Sequence, residues 1–127
     1  MEWVASNKLV LNISKTKSIV FVSLSFRPQW NLVMNGVAVE QVEDTKLLGV
    51  TLDCKLSWSK HIDSMVAKMG RGLAVIKRCS AFLTPHSTKQ VLQPLVLSHL
   101  DYCPVIWSGA AKKVLKKRQL VQNRAAV

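Results

Sequence analysis

The pattern of apolar and polar residues changes near the middle of the chain. Up to about residue 56, short β-branched and aromatic runs alternate with polar turns, which predicts strands. From Trp58 onward, apolar residues recur at steps of three and four, the period of an amphipathic helix. Strands followed by helices predict an α+β fold, with a small antiparallel sheet over residues 1–56 and a basic three-helix unit over 57–127.

Three segments carry the strand signal. The residues Ile19–Val22 are all β-branched or aromatic and predict a core strand. The pair Asn35-Gly36 lies between two β-rich runs and predicts a hairpin, because a type I′ turn needs positive φ at both central positions. The run KLLGVTLD, residues 46–53, predicts a further strand with Gly49 inside it. A glycine in a strand often marks close approach by another backbone or a ligand.

The first long helix is predicted to begin at Ser57 as the N-cap, and Pro85 prevents its continuation. Gly70 and Gly72 should each weaken this helix by about 1 kcal/mol relative to alanine. Its apolar stripe comprises Ile62, Val66, Met69, Leu73, Ile76, Cys79 and Leu83.

Further helices follow from local signals. The residues Ser87–Gln90 have capping-box form and predict a helix start at Ser87. Pro94 falls inside the pattern that follows and predicts a kink, and Pro104 closes the segment. A third helix is expected over about 110–124, and residues 2–8 have the form of the last turns of a helix that begins before them.

The positive charge lies in the second half of the chain. The net charge is +11, yet residues 1–54 contain five Lys or Arg and five Asp or Glu. Residues 55–127 contain the other thirteen basic residues and only two acids, Asp63 and Asp101. A one-sided basic block indicates a polyanionic partner, most simply nucleic acid. The alternative is a solvated face that keeps the protein in solution.

Cysteine usage and hydropathy indicate the compartment. The three cysteines have no CxxC spacing and fit reduced thiols that pack as small apolar residues. The longest apolar runs are far shorter than a membrane span, and the first residues do not have the form of a signal peptide. We therefore expect an intracellular protein, in the nucleus or cytoplasm, that is neither secreted nor membrane-bound.

An ordered set of motifs spans nearly the whole chain. In sequence order they are Trp3…Asn7-x-Leu9-x-Leu11-Asn12-x-x-Lys15-Thr16…Phe21, Gly36-Val37…Val42…Leu47-Leu48-Gly49-Val50-x-Leu52-Asp53…Leu56-x-Trp58-x-x-His61-Ile62, and Pro94-Leu95…Leu100-Asp101-Tyr102…Trp107. With these spacings the set resembles the reverse transcriptases of non-LTR (LINE-type, jockey-like) retrotransposons.

The resemblance implies a C-terminal palm remnant over residues 1–56 and a thumb-like region over 57–127. Leu48-Gly49 resembles the primer-grip hairpin, which holds the 3′ end of the growing strand. The helices after Trp58 resemble the thumb, which grips the template–primer duplex. Lys15 resembles a palm-motif lysine that could act as a point charge or proton donor near pyrophosphate, although an ordinary surface lysine is the simpler interpretation.

The resemblance does not extend to the metal site. Nucleotide transfer needs two divalent metals held by carboxylates. The family supplies an Asp-Asp pair, but the adjacent acids of this chain are Glu43-Asp44, in a polar turn. We therefore expect a fragment that is inactive alone and needs no cofactor, with Mg²⁺ expected only for the complete polymerase.

Other site chemistry is weakly indicated. His61, His86 and His99 lack the strand-turn context that would activate a serine or cysteine nucleophile. Cys54 and Cys79 each precede a histidine by seven positions, a spacing longer than structural zinc sites usually use. Core or surface histidines are the favoured interpretation, and no Walker loop or GxGxxG is present.

Binding of template–primer nucleic acid is the chemistry that the chain can still perform. Trp107 could stack on bases; Trp58 could do so or anchor the first helix in the core. The alternatives are a helical protein-interaction module, self-associating through exposed apolar helix faces, or a pseudogene product that never folds stably. The candidate nucleic-acid contacts are Leu48, Gly49, Trp58, Lys68, Arg71, Lys77, Arg78, Lys112, Lys113, Lys116 and Lys117.

Overall fold

The computed structural model describes residues 2–22 and 28–126. Short strands precede a series of helices, which confirms the predicted α+β class. The chain divides into two units. The first unit contains the residues up to 45 and residues 53–56. The second, the helical unit, contains residues 46–52 and the residues from 57 onward. Residues 46–52 therefore group with the helices.

The first part of the chain contains short elements. They are helix α1 (Glu2–Ser6), a 3₁₀ turn (Ile13–Lys15), and strands β1 (Lys17–Ile19), β2 (Val33–Met34), β3 (Val37–Ala38), β4 (Glu40–Val42), β5 (Asp44–Leu47) and β6 (Val50–Asp53). The helical part contains α2 (Ser59–Cys79), a 3₁₀ turn (Ser80–Phe82), α3 (Pro85–Leu92), a π-helical segment (Gln93–Leu97), α4 (Ser98–Asp101), α5 (Pro104–Trp107) and α6 (Lys112–Ala126).

The strands form pairs rather than one antiparallel sheet. The predicted hairpin at Asn35-Gly36 is confirmed, with φ of 49° and 77° at the two turn residues and antiparallel β2 and β3. Strand β1 instead pairs with β4 in parallel, with Ile19 opposite Val42.

The predicted core strand at Ile19–Val22 is wrong in extent and burial. Strand β1 ends at Ile19, opposite the last residue of β4, and the Phe21 side chain is exposed. The Val22 amide donates a hydrogen bond to the Cys54 carbonyl at 3.2 Å instead of continuing the ladder. Residues 23–27, which follow this run, lie outside the described residues.

Gly49 lies in a turn and not inside a strand. Leu48 and Gly49 have φ of 46° and 85° and connect β5 to β6 as a two-residue hairpin. Positive φ at both positions is the requirement of a type I′ turn. The sequence concealed this turn because leucine rarely adopts positive φ, so KLLGVTLD had the composition of one continuous strand.

The core of the helical unit is built on the apolar stripe of α2. This helix packs against α3, the π-helical segment, α4 and α6. Ile62, Met69 and Val96 have no exposed surface, and burial of such a side chain contributes about 1.5–3 kcal/mol. The buried cluster comprises Ile62, Met65, Met69, Ile76, Val96, Trp107, Ala110 and Val121.

Two predicted helix starts are corrected. Helix α3 begins at Pro85 rather than Ser87, because the Thr84 side chain caps it by accepting from the Ser87 amide at 3.2 Å. The N-cap of α2 is Trp58, with φ of 62°, while the Ser57 hydroxyl accepts from the Ser59 amide at 3.4 Å. In both cases the local signal identified the correct turn but misplaced the residue.

Pro94 changes the hydrogen bonding of its helix. Proline has no amide proton, and residues 93–97 adopt π-helical geometry in which the Ser98 amide donates to the Gln93 carbonyl. This segment continues α3 into α4. Pro104 opens α5, after Cys103 with φ of 48°.

Gly72 has a packing role that the sequence did not reveal. A Cβ atom at this position would lie 2.6 Å from the Leu95 carbonyl oxygen and 3.1 Å from Cγ2 of Val96. Helix α2 therefore approaches the π-helical segment too closely for any side chain. At Gly70, by contrast, an added Cβ would meet no atom of the described residues within 4 Å.

The two glycines should respond oppositely to alanine. Gly72→Ala should lower the free energy of unfolding by about 1–3 kcal/mol, because backbone must move to admit the methyl group. Gly70→Ala should raise it by about 0.5–1 kcal/mol, through helix propensity alone. Urea denaturation of both variants measures the difference. Equal shifts for the two variants would contradict the close approach at Gly72.

Candidate nucleic-acid interface

The helical unit contains a cleft of about 320 Å³ between the tip of the β5–β6 hairpin and the helices. Its described lining residues include two lysines and two histidines but no carboxylate, so the cleft is suited to an anion. The lining consists of Lys46, Gly49, Thr51, His61, Ser64, Met65, Lys68, His99 and Tyr102.

Tyr102 holds the hairpin tip against the helices. Its hydroxyl donates a hydrogen bond to the Leu48 carbonyl. Its ring lies where a side chain at Gly49 would be, since an added Cβ would come within 3.2 Å of the ring carbon Cε1. Glycine at position 49 therefore meets two requirements. It adopts a positive φ without strain, and its missing side chain leaves room for the Tyr102 ring. The sequence interpretation expected another backbone or a ligand near Gly49, and the structure places the Tyr102 side chain there instead.

His61 supports the second strand of the hairpin. Its imidazole is buried, and Nδ1 accepts a hydrogen bond from the Thr51 amide at 3.3 Å. Burial lowers the pKa of His61 from its ordinary value of 6.5, and the charge of Lys68 lowers it further. The neutral imidazole, with a lone pair on Nδ1, is therefore the form that the fold favours.

Of the two tryptophans considered for base stacking, Trp107 is a core residue and Trp58 is partly buried. Trp107 is only 1% exposed, and its Nε1 donates to the Tyr102 carbonyl at 3.1 Å. The Arg118 guanidinium lies over the Trp107 ring, 5.3 Å from its centroid. The expectation that Trp107 stacks on bases is therefore wrong, because its faces are already covered. Trp58 is half-buried and packs against the core cluster, as the anchoring alternative requires.

The cations of α2 do not all lie on one side. Lys68 lines the cleft, and Arg71 and Arg78 continue along the same side of the helix at about 100° per residue. Lys77 lies about 120° around the axis from Arg71 by the same geometry. All four side chains are exposed. The structure thus brings Lys68 together with the hairpin tip and separates Lys77 from it.

The lysines of α6 are exposed at the surface of the helical unit. Lys112, Lys113 and Lys116 lie in its first turns. Lys117 instead forms an ion pair with Asp63 of α2, with 2.7 Å between Nζ and Oδ1. This pair joins α6 to α2, so Lys117 has a structural contact that its neighbours do not share.

Lys15 is an exposed residue at the end of a 3₁₀ turn in the other unit. Nothing in its surroundings tests the palm-lysine role, which stays a prediction.

Within residues 2–22 and 28–126, no cluster of three or more His, Cys, Asp or Glu is arranged to hold a metal ion. In the same residues, no helix combines the length and apolar character needed to cross a membrane.

Several cleft residues were not selected from the sequence as site residues. Lys46, Thr51, Ser64 and His99 carried no motif signal, and the structure brings them together by folding the hairpin onto α2 and α4. Tyr102 was noted within the ordered motifs but given no role. The unusual glycine at position 49 was the one signal that could have indicated its partner.

Comparison with known proteins gives one informative match. The chain is 29% identical, over 132 aligned positions covering 98% of its length, to a probable RNA-directed DNA polymerase from transposon X-element of Drosophila melanogaster. It spans only 14% of that relative's length. No protein-family model and no solved structure matches. The match supports relatedness to a transposon RNA-directed DNA polymerase.

The environment of His61 predicts a pH dependence of stability. Because the folded state lowers the pKa of His61, the unfolded chain binds more protons as pH falls below about 6.5. The free energy of unfolding should therefore decrease as pH falls from about 6.5 through the lowered pKa. In His61→Asn, whose Oδ1 can replace Nδ1 as acceptor, this decrease should be smaller. Urea denaturation between pH 5 and 8 measures the free energy of unfolding of the wild type and of His61→Asn. If the two proteins lost the same stability over this range, His61 would not be the group responsible.

Proposed function

We propose that this chain corresponds to the primer-grip and thumb region of a non-LTR retrotransposon reverse transcriptase and binds template–primer nucleic acid through its basic helical unit. The observation that carries the proposal is the cleft, where the turn of a hairpin and its Lys46 face Lys68 of the first long helix. The motif order and the similarity to the X-element polymerase support it independently.

The charges suit the phosphate backbone rather than particular bases. Lys46 and Lys68 line the cleft, and Arg71 and Arg78 extend the positive side of α2 away from it. Lysine acts as a point charge toward phosphate and carries no sequence information. The proposed binding is therefore electrostatic, weakly dependent on sequence and steeply dependent on salt.

The polymerase reaction itself is not proposed for the isolated chain. Phosphoryl transfer needs carboxylates that hold two divalent metals, and the sequence has no Asp-Asp pair. With template–primer, nucleotides and Mg²⁺, we expect no primer extension. Extension above a no-protein control would contradict this part of the proposal.

Binding should be measured with a labelled RNA–DNA hybrid by fluorescence anisotropy across a salt series. The affinity should fall steeply with salt, because each contact releases counterions. Lys68→Gln should weaken binding and reduce the slope of log K against log salt by about 1.

The matched control is Lys89→Gln, which removes the same charge from an exposed position on α3 outside the cleft. Its salt slope should stay close to that of the wild type. Absence of binding at low salt, or equal effects of the two variants, would overturn the proposal.

A second candidate is a protein-interaction module, and exposed apolar side chains favour it. Phe82 and Val105 of the helical unit are each nearly 90% exposed. Exposed apolar side chains mark a contact with another protein where they form one contiguous patch. Analytical ultracentrifugation should then show self-association that Phe82→Ser reduces. In the same case, the anisotropy of the labelled RNA–DNA hybrid should not change when the protein is added.

A further inference from the structure

The hairpin tip is attached to the helical unit at two backbone positions. On one side, the Leu48 carbonyl accepts from the Tyr102 hydroxyl. On the other, the Thr51 amide donates to Nδ1 of His61 at 3.3 Å. The two side chains come from different parts of the helical unit, since His61 lies in α2 and Tyr102 follows α4.

Tyr102 is itself fixed by the core. The buried Trp107 donates from Nε1 to the Tyr102 carbonyl at 3.1 Å. The tyrosine ring then occupies the space over Gly49. A continuous series of contacts thus runs from the core through Tyr102 to the turn.

The turn needs this external support. Leu48 has φ of 46°, a conformation that is unfavourable for a residue with a side chain. Its side chain is 85% exposed, so packing of that side chain does not stabilise the turn. The hydrogen bond that Tyr102 donates to Leu48, and the one that His61 accepts from Thr51, therefore hold the turn in place.

We propose that Tyr102 and His61 form a two-point clamp on the Leu48-Gly49 turn, and that this clamp sets the affinity of the cleft for a nucleic-acid phosphate group. The inference rests on the proposed function. Lys46, on the hairpin, and Lys68, on α2, line the same cleft. One phosphate can contact both lysines only while the tip is docked, so loosening the clamp removes one charge from the cleft.

Three variants of the full chain test the clamp. Tyr102→Phe removes only a hydroxyl from a half-exposed ring. His61→Phe keeps a ring but removes the acceptor, and His61→Asn restores an acceptor at the position of Nδ1. Ser108→Ala is the matched control, because it removes an exposed side-chain bond to the Val105 carbonyl outside the cleft.

Two measurements are made on each variant. The first is the affinity for the labelled RNA–DNA hybrid, and the second is amide hydrogen exchange of residues 46–52. Tyr102→Phe and His61→Phe should each weaken binding by about threefold to tenfold, the loss expected for one hydrogen bond. Both should accelerate exchange at 46–52 while α2 keeps its protection. His61→Asn should recover most of the loss caused by His61→Phe in both measurements, and Ser108→Ala should remain close to the wild type.

The outcomes separate this inference from the proposed function. Unchanged exchange in Tyr102→Phe would overturn the clamp. Faster exchange with unchanged affinity would overturn its role in binding, while the effect of Lys68→Gln would still support the proposed function. If the wild type does not bind the hybrid, the proposed function and the affinity part of this inference both fail, and the exchange data alone decide the clamp.

Discussion

The helical unit depends on the close approach between α2 and the π-helical segment. Gly72 makes this approach possible, because any side chain there would collide with the Leu95 carbonyl. Next to the contact, Met69 and Val96 have no exposed surface. Pro94 contributes from the other side, since it interrupts α-helical hydrogen bonding where the two segments meet. The contact adjoins the cleft, because Lys68 of the cleft lining lies about one helical turn before Gly72.

The candidate site is connected to this core through an aromatic pair. Trp107 is buried and positions the backbone of Tyr102, and Tyr102 positions the hairpin turn. His61 belongs to the buried part of α2 and supports the same hairpin from its second strand. Rigid placement of a cleft by core residues favours binding, because less conformational freedom is lost when a ligand is bound.

Sequence reasoning succeeded where the signal was local or periodic. Spacing correctly placed Ile62, Met69 and Ile76 in the core, since 3.6 residues per turn bring these positions to one face, whereas Cys79 of the same predicted stripe is exposed. Asn35-Gly36 is a strong turn signal because both residues tolerate positive φ. At Leu48-Gly49 the family resemblance implied a hairpin, but residue preferences did not reveal the turn, because leucine rarely adopts positive φ. Contacts with Tyr102 and His61 support this hairpin. The N-cap Thr84 was missed because Thr84 and Ser87, three residues apart, are both residue types that favour an N-cap position.

The sequence by itself determined the order of elements, the basic character of the second half, and the ordered motifs that resemble reverse transcriptases. These properties depend on residue type and spacing, so they need no knowledge of distant contacts. The tertiary structure alone decided that β1 pairs with β4 in parallel, that Trp107 is enclosed, and that Gly49 faces Tyr102. Each depends on residues far apart in the chain, and their packing is set by which apolar surfaces can be buried together.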